Sequence, residues 1–283
     1  MPVLAQVQAP EDAIVAWQHD PRVIGGLLLV AVVYTVGWRR LRARGDDHFG
    51  AAQIGAFYAT LLLIGLDLLS PIDSMADYLS SVHMAQHMLL IFVAPVFAWW
   101  SRPLLPLWHG LPRFARSILD RVASRLPVEA FFIWLTRPVT AWLLFVVIIW
   151  GWHLPVFYDL ALEHEPIHDM EHACIFYVSL LFWYPVMRPY PARPAWSRWV
   201  LIPYLILADV QFTVFSAILT FSDHVIYPYY VQVPRPWPIS PLADQQIAGL
   251  IMWIPGSVIF LVPLVQIGSQ LLRGQAPVGD TRG

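Results

Sequence analysis

Cysteine is almost absent from the 283 residues: Cys174 stands alone. That excludes an internal disulfide and any CxxC or cysteine-cluster metal site. Charge is scarce too, at 13% of residues against about a quarter in a soluble domain. Lysine is missing altogether, so all 17 basic residues are arginine; no mechanism follows from that. The formal net charge is −2 and no basic stripe or recognition module is present, which removes nucleic acid as an expected partner. The N-terminus also lacks a basic stretch. Glu11 and Asp12 precede the first apolar run, so a signal peptide is not expected. Residues 1–22 read as a short polar tail or surface helix.

What the chain has instead is apolar length. Hydrophobic residues make up 58%, and they gather in runs of roughly 16–22 residues, each able to cross about 30 Å of hydrocarbon. Seven spans are expected, at about 23–38, 51–70, 82–100, 138–153, 166–187, 199–221 and 243–267. The predicted fold is therefore all-α, a polytopic seven-transmembrane-helix bundle over residues 23–272, embedded in the lipid bilayer. Proline at the start of the fourth and fifth spans suits a first helical turn, where its missing N–H would be unpaired anyway. A long connection, about 101–137, carries Arg102, Arg113, Arg116, Arg121, Arg125 and Arg137; its middle is expected to lie on the membrane surface as an amphipathic helix. Residues 273–283 read as a disordered cytoplasmic tail.

Arginine sets the orientation. The connections after spans one, three and five, with the C-terminal tail, hold 15 of the 17; the opposite side has only Arg22 and Arg235. The positive-inside rule then places the N-terminus outside and the C-terminus in the cytoplasm. The same topology sorts the histidines, which that rule does not require. His48 and His109 fall inside. His19, His83, His87, His153, His164, His168, His172 and His224 fall outside, together with most of the acids.

Two of these histidine sets have helical spacing. His83 and His87 share a face at the outer end of span three, and His168 and His172 do the same at the outer end of span five. Span four delivers His153 at its outer terminus. Met84 and Met88 flank the first pair, and Met252 lies two turns into span seven. Imidazole with thioether suits a copper ion better than a hard cation such as magnesium. A ligating imidazole also wants its other nitrogen held by a carboxylate or carbonyl; Asp67, Glu171, Asp244 and Gln245 are the candidates. Each has a plainer reading. His153 could belong to an interfacial aromatic belt, His164 to a solvated loop, Met252 to core packing, and Asp244 to helix packing or N-capping. Asp209, in mid-span, is either functional or hydrogen-bonded to Tyr204 or Gln211. Cys174 reads as core.

Four segments, His83-Met84-Ala85-Gln86-His87-Met88, Trp152-His153-Leu154-Pro155-Val156-Phe157-Tyr158, Glu171-His172, and Asp244-Gln245-Gln246 through Pro255-Gly256, together resemble the CtaG family of cytochrome c oxidase assembly factors of the caa3 type. The resemblance covers nearly all of spans three to seven. It implies a multi-pass plasma-membrane protein that helps mature haem-copper oxidase, with oxidase subunits and other assembly factors as partners. It implies copper handling on the periplasmic or extracellular side, with His83, His87, His153, His168 and His172 as the metal positions. Met84, Met88, Asp67, Glu171, Asp244, Gln245 and Met252 stand as further ligands or as groups that hold the ligating rings. The cysteine pair of single-span copper chaperones is missing, so their thiolate mechanism does not carry over. The reading is a binding and transfer protein rather than an enzyme.

Two alternatives use the same residues. His168-Asp169-Met170-Glu171-His172 fits the H-x-x-E-H pattern of zinc metallopeptidases, with Glu171 as general base. Histidines from two spans could instead be axial ligands of haem. Metal transport across the bilayer is disfavoured, because polar groups cluster at one side and only Asp209 stands near the middle.

Overall fold

The computed structural model describes residues 10–191 and 196–273. The first nine residues, Arg193 and the expected tail beyond Arg273 lie outside them. Helices are the only regular structure among the described residues. The main ones are α1 (Pro21–Ala43), α2 (Ala51–Leu69), α3 (Ser80–Trp100), α4 (Pro138–Trp152), α5 (Glu165–Met187), α6 (Leu201–Phe221) and α7 (Pro241–Leu272). Six of these are long and apolar enough to cross a membrane. The exception is α4, whose 15 residues reach only about 22 Å. The helix Val128–Leu135 runs into it across a 69° bend, and the pair makes a seventh candidate span. Proline opens α1, α4, α5 and α7 in the first turn, as its missing N–H favours.

The spans are unequally enclosed. In α3, 61% of the span is buried within the protein; in α1, 11%. The bundle is thus wrapped around α3. Beneath its first turns, Phe92 meets Phe212 and Phe260 edge to face, with ring centroids 5.3 and 5.1 Å apart. Phe182 and Trp183 complete this layer from α5. It closes the middle of the bundle with interlocked rings.

Just below the histidines α3 changes pitch. Leu89–Val93 forms one π-helical turn, followed by Pro95. Pro95 has no N–H to offer the carbonyl of Ile91 four residues back. Trp183 donates its indole N–H to that carbonyl at 2.8 Å, pinning α5 to α3 at the irregularity.

The helix termini sort into two ends. At one, Arg22 of α1 lies 3.4 Å from Glu165 and 3.9 Å from Asp169 at the start of α5. At the other, Arg102 donates to the carbonyl of His48, and Tyr34 donates to that of Ser101. The alternation expected from the spans is present. The 101–137 connection is more structured than expected. Arg113–Ala123, where a membrane-surface helix was expected, is a helix with no buried residue. The preceding helix, Leu104–Gly110, packs tightly on α1: a Cβ on Gly37 would lie 1.7 Å from the Pro106 carbonyl oxygen, and one on Gly110 1.7 Å from that of Val33. Only glycine fits either position.

Two side chains depart from expectation. Tyr204 donates to the carbonyl of Phe182, and Gln211 bonds the Ala208 carbonyl and the Trp150 indole. Neither reaches Asp209, whose Oδ1 is buried without a partner. Cys174 is half-buried rather than in the core, because its position turns toward the outside of α5.

Candidate metal centre

The start of α3 is fixed from a distance. Asp244, in the first turn of α7, accepts from the backbone N–H of Ser80 at 2.8 Å and of Ser81 at 3.1 Å, and from the Ser81 hydroxyl at 2.5 Å. It is the N-terminal cap of a helix other than its own, satisfying donors that the first turn leaves free. Arg235 closes an ion pair on it at 3.0 Å. Both carboxylate oxygens are therefore taken up, and Asp244 is not available as a ligand. Gln245 is committed as well, accepting from Ile226 N–H and donating to the His224 carbonyl.

One turn into α3, the rings of His83 and His87 lie 4.3 Å apart, centroid to centroid. His168 and His172, one turn apart on α5, are separated by 4.2 Å. Across the helices His83 is 5.1 Å from His168 and 5.7 Å from His172, and His87 is 5.4 Å from His172 and 5.2 Å from His153. All five rings form one continuous cluster. His83, His87, His153 and His172 are buried, and His168 is half-buried toward the end of the bundle.

The nitrogens converge more closely than the rings. Nε2 of His83 and His168 are 3.4 Å apart. Glu171 lies between the first pair, its Oε2 3.8 Å from His83 Nε2 and its Oε1 3.7 Å from His87 Nε2. Two overlapping donor groups result, His83–His168–His172 and His83–His87–Glu171, each with its donor atoms within 4.8 Å of one another. A tetrahedral ion with bonds of about 2.0–2.1 Å needs donors about 3.3 Å apart, so the donors, within 4.8 Å of one another, would draw together to seat one. Nε2 of His87 and His172 and both oxygens of Glu171 are buried with no hydrogen-bond partner. Leaving such atoms unpaired costs about 1–3 kcal/mol each, and a cation held among them would offset that cost.

The other ring nitrogens are held. His153 Nδ1 lies 2.7 Å from the Ile149 carbonyl, which can only accept, so the proton sits on Nδ1 and the Nε2 lone pair is free. That Nε2 faces His87 Nδ1 at 3.4 Å, which assigns the His87 proton to Nδ1 and leaves its Nε2 lone pair turned toward Glu171. His153 thus belongs to neither donor group and orients His87 instead. His83 Nδ1 is 2.9 Å from the Tyr158 hydroxyl, and Tyr230 donates to the Ala76 carbonyl at 2.9 Å. Burial pushes both phenols well above their ordinary range, so each keeps its proton.

The remaining expected residues go elsewhere. Met84, Met88 and Met252 are buried among the apolar residues of the core. Asp67 is fully buried with both oxygens unpaired, but it sits beside Gln86 and Asp73, outside both groups. His164 and His224 are exposed. Sequence reasoning missed Tyr158, Tyr227 and Tyr230. The loop after α6 folds back over the cluster, stacking Tyr227 on Tyr158 at 3.9 Å. The tyrosines at 227, 229 and 230, in a connection rich in proline, were the available signal. A cleft of about 550 Å³ between α1, α2 and α5 reaches His172 from the side, with Asp20, Arg22 and Asp169 at its mouth.

The profile of the cytochrome c oxidase caa3 assembly factor family matches residues 32–274. The chain belongs to that family. Its matched region takes in every histidine of the cluster. Among curated relatives, the uncharacterized protein Mb0105 of Mycobacterium bovis is 25% identical over 275 residues, covering 91% of this chain and 39% of that protein. The uncharacterized protein ML1998 of Mycobacterium leprae is 22% identical over 272 residues, covering 91% and 40%. The assembly-factor chain therefore spans about two fifths of the length of these relatives. No solved structure matches it.

Proposed function

We propose that this assembly factor binds a copper ion among His83, His87, His168, His172 and Glu171 on the outer face of the plasma membrane and delivers it to a subunit of haem-copper oxidase. The observation that carries the reading is the convergence of buried, unpartnered Nε2 and carboxylate atoms from α3 and α5. The converging donors, imidazole and carboxylate, also suit zinc. Copper is preferred because divalent copper binds such nitrogen donors most strongly among the first-row ions, and because the family serves cytochrome c oxidase.

The copper is cargo, and no substrate is converted. Glu171 is wedged between His83 and His87 with no exposed surface, which leaves a general base no face toward a peptide. Rings in mutual contact leave no slot for a porphyrin. Binding requires neutral imidazoles, so it weakens as pH falls through the histidine range.

The test is metal analysis of the purified protein, loaded with copper or zinc, together with an optical spectrum. Stoichiometric copper is expected in the wild type and none in the His83→Ala/His87→Ala double variant. Copper retained by that variant, a Soret band, or selective zinc binding would overturn the proposal.

A further inference from the structure

The end of the bundle opposite the histidines holds a cavity that metal handling does not use. A pocket of about 290 Å³ is lined by Arg40 of α1, by Arg44 at its C-terminal cap, by His109, and by Arg113 and Arg116 of the helix Arg113–Ala123. No carboxylate lines it. Among the described residues, arginine–carboxylate pairs involve only Arg22 and Arg235. Arg116 Nε is buried there without a partner. Arg40 donates to the His109 carbonyl. Four arginines lining one space repel one another unless an anion joins them, and their forked donors match phosphate oxygens.

Beside this pocket runs a second cavity of about 370 Å³, lined by apolar residues that include Leu29, Val33, Leu104, Leu107 and Leu111. Leu111 belongs to both walls. Leu29 stands eleven residues before Arg40 on α1, so the groove extends about 16 Å from the arginines toward the middle of the bundle. The helix Arg113–Ala123 also presents Phe114, Ile118 and Val122, 71%, 52% and 47% exposed and four residues apart, which suits a helix lying at the headgroup boundary. A soluble phosphate would use the arginines but not the groove. A zwitterionic lipid would bring its own cation into a pocket that already holds four.

We propose that this end binds one anionic phospholipid, with its phosphate among Arg40, Arg44, Arg113 and Arg116 and an acyl chain along the Leu29–Leu107 groove. The site is independent of the metal cluster and stands whether or not copper binds there.

The experiment is native mass spectrometry of the full chain in detergent, titrated with phosphatidylglycerol and with phosphatidylcholine of the same chain length. Phosphatidylglycerol is expected to bind at least about tenfold more tightly. Arg44 and Arg113 are exposed, so their replacement leaves the packing intact. The Arg44→Gln/Arg113→Gln variant is expected to lose about thirtyfold in phosphatidylglycerol binding, at about 1 kcal/mol for each arginine. Leu29→Trp, which fills the groove at a position 65% exposed, should weaken lipid binding without changing retention of inorganic phosphate. Arg121→Gln/Arg125→Gln, on the exposed surface beyond the pocket, should change neither. An equal loss in that last variant would reduce the effect to diffuse surface charge and overturn the proposal. So would equal binding of the two lipids, or displacement of phosphatidylglycerol by millimolar phosphate with Leu29→Trp silent.

Discussion

The two ends of the bundle both gather basic side chains, and they do so with different residues. At one, imidazoles are buried with lone pairs turned inward and several polar atoms unpaired. At the other, guanidiniums stand around an open pocket and along an exposed helix. The difference follows from charge. Imidazole is neutral near physiological pH, so it tolerates burial and can receive a cation. Guanidinium is always charged and costly to bury, so it stays at the boundary and receives anions. On the two proposals above, one end would receive positive charge and the other negative charge.

That contrast can be broken at several points. The largest effect is expected for His83→Ala, since His83 is common to both donor groups. Equilibrium dialysis should show copper affinity falling by more than about a hundredfold, a greater loss than that typical of removing a group behind a ligand. A comparable loss from a substitution at the arginine end would erase the distinction. Next is Gly37→Val, which forces a side chain into the Pro106 backbone where α1 crosses Leu104–Gly110. Thermal unfolding should show destabilisation of about 2 kcal/mol, with copper affinity per folded molecule unchanged. Coupled loss of both would mean that the two ends are not independent.

Smaller effects sharpen the picture within the histidine end. His153→Phe fits beside Phe215 but removes the acceptor that orients His87. Copper affinity should fall by about tenfold; a loss as large as that of His83→Ala would make His153 a ligand after all. The smallest effect concerns Asp73, outside the spans. Burial pushes its carboxyl up to about 7, with Asp169 and Glu165 adding to the rise and the Gln86 hydrogen bond opposing it. An ordinary aspartate titrates near 4. The folded chain therefore holds this proton more tightly than the unfolded one. The associated stability is present below about pH 4 and is lost as pH rises from there through about 7. Asp73→Asn keeps the acceptor for Gln86 and should raise the melting temperature at pH 8 while leaving it unchanged at pH 4. Asp77, likewise pushed up to about 7 by burial, should preserve a residual slope.

Local features of the chain were legible in the sequence. The spans follow from apolar length, and the pairs His83/His87 and His168/His172 follow from helical spacing. Their meeting across α3 and α5 was reachable because the arginine bias put both at one side. Long-range partnerships were not legible. Nothing near Asp244 in the chain reveals that it caps a helix beginning at Ser80. Nothing around His153 distinguishes a metal donor from a ring that braces its neighbour. The methionines illustrate the limit most plainly. Met84 and Met88 each follow a histidine by one residue, and 100° of rotation sets them on the neighbouring face, among buried apolar residues.

The π turn at Leu89–Val93 acts as a phase shifter. It fits one more residue into its turn than an α-helix would, so everything on its N-terminal side is rotated by about 100° relative to a continuous α-helix. Straightening it would leave the lower part of α3 seated on its aromatic layer while swinging His83 and His87 away from α5. The indole clamp on Ile91 holds that offset in place, so the aim of the imidazoles is set by a kink in the backbone below them and not by their own contacts alone.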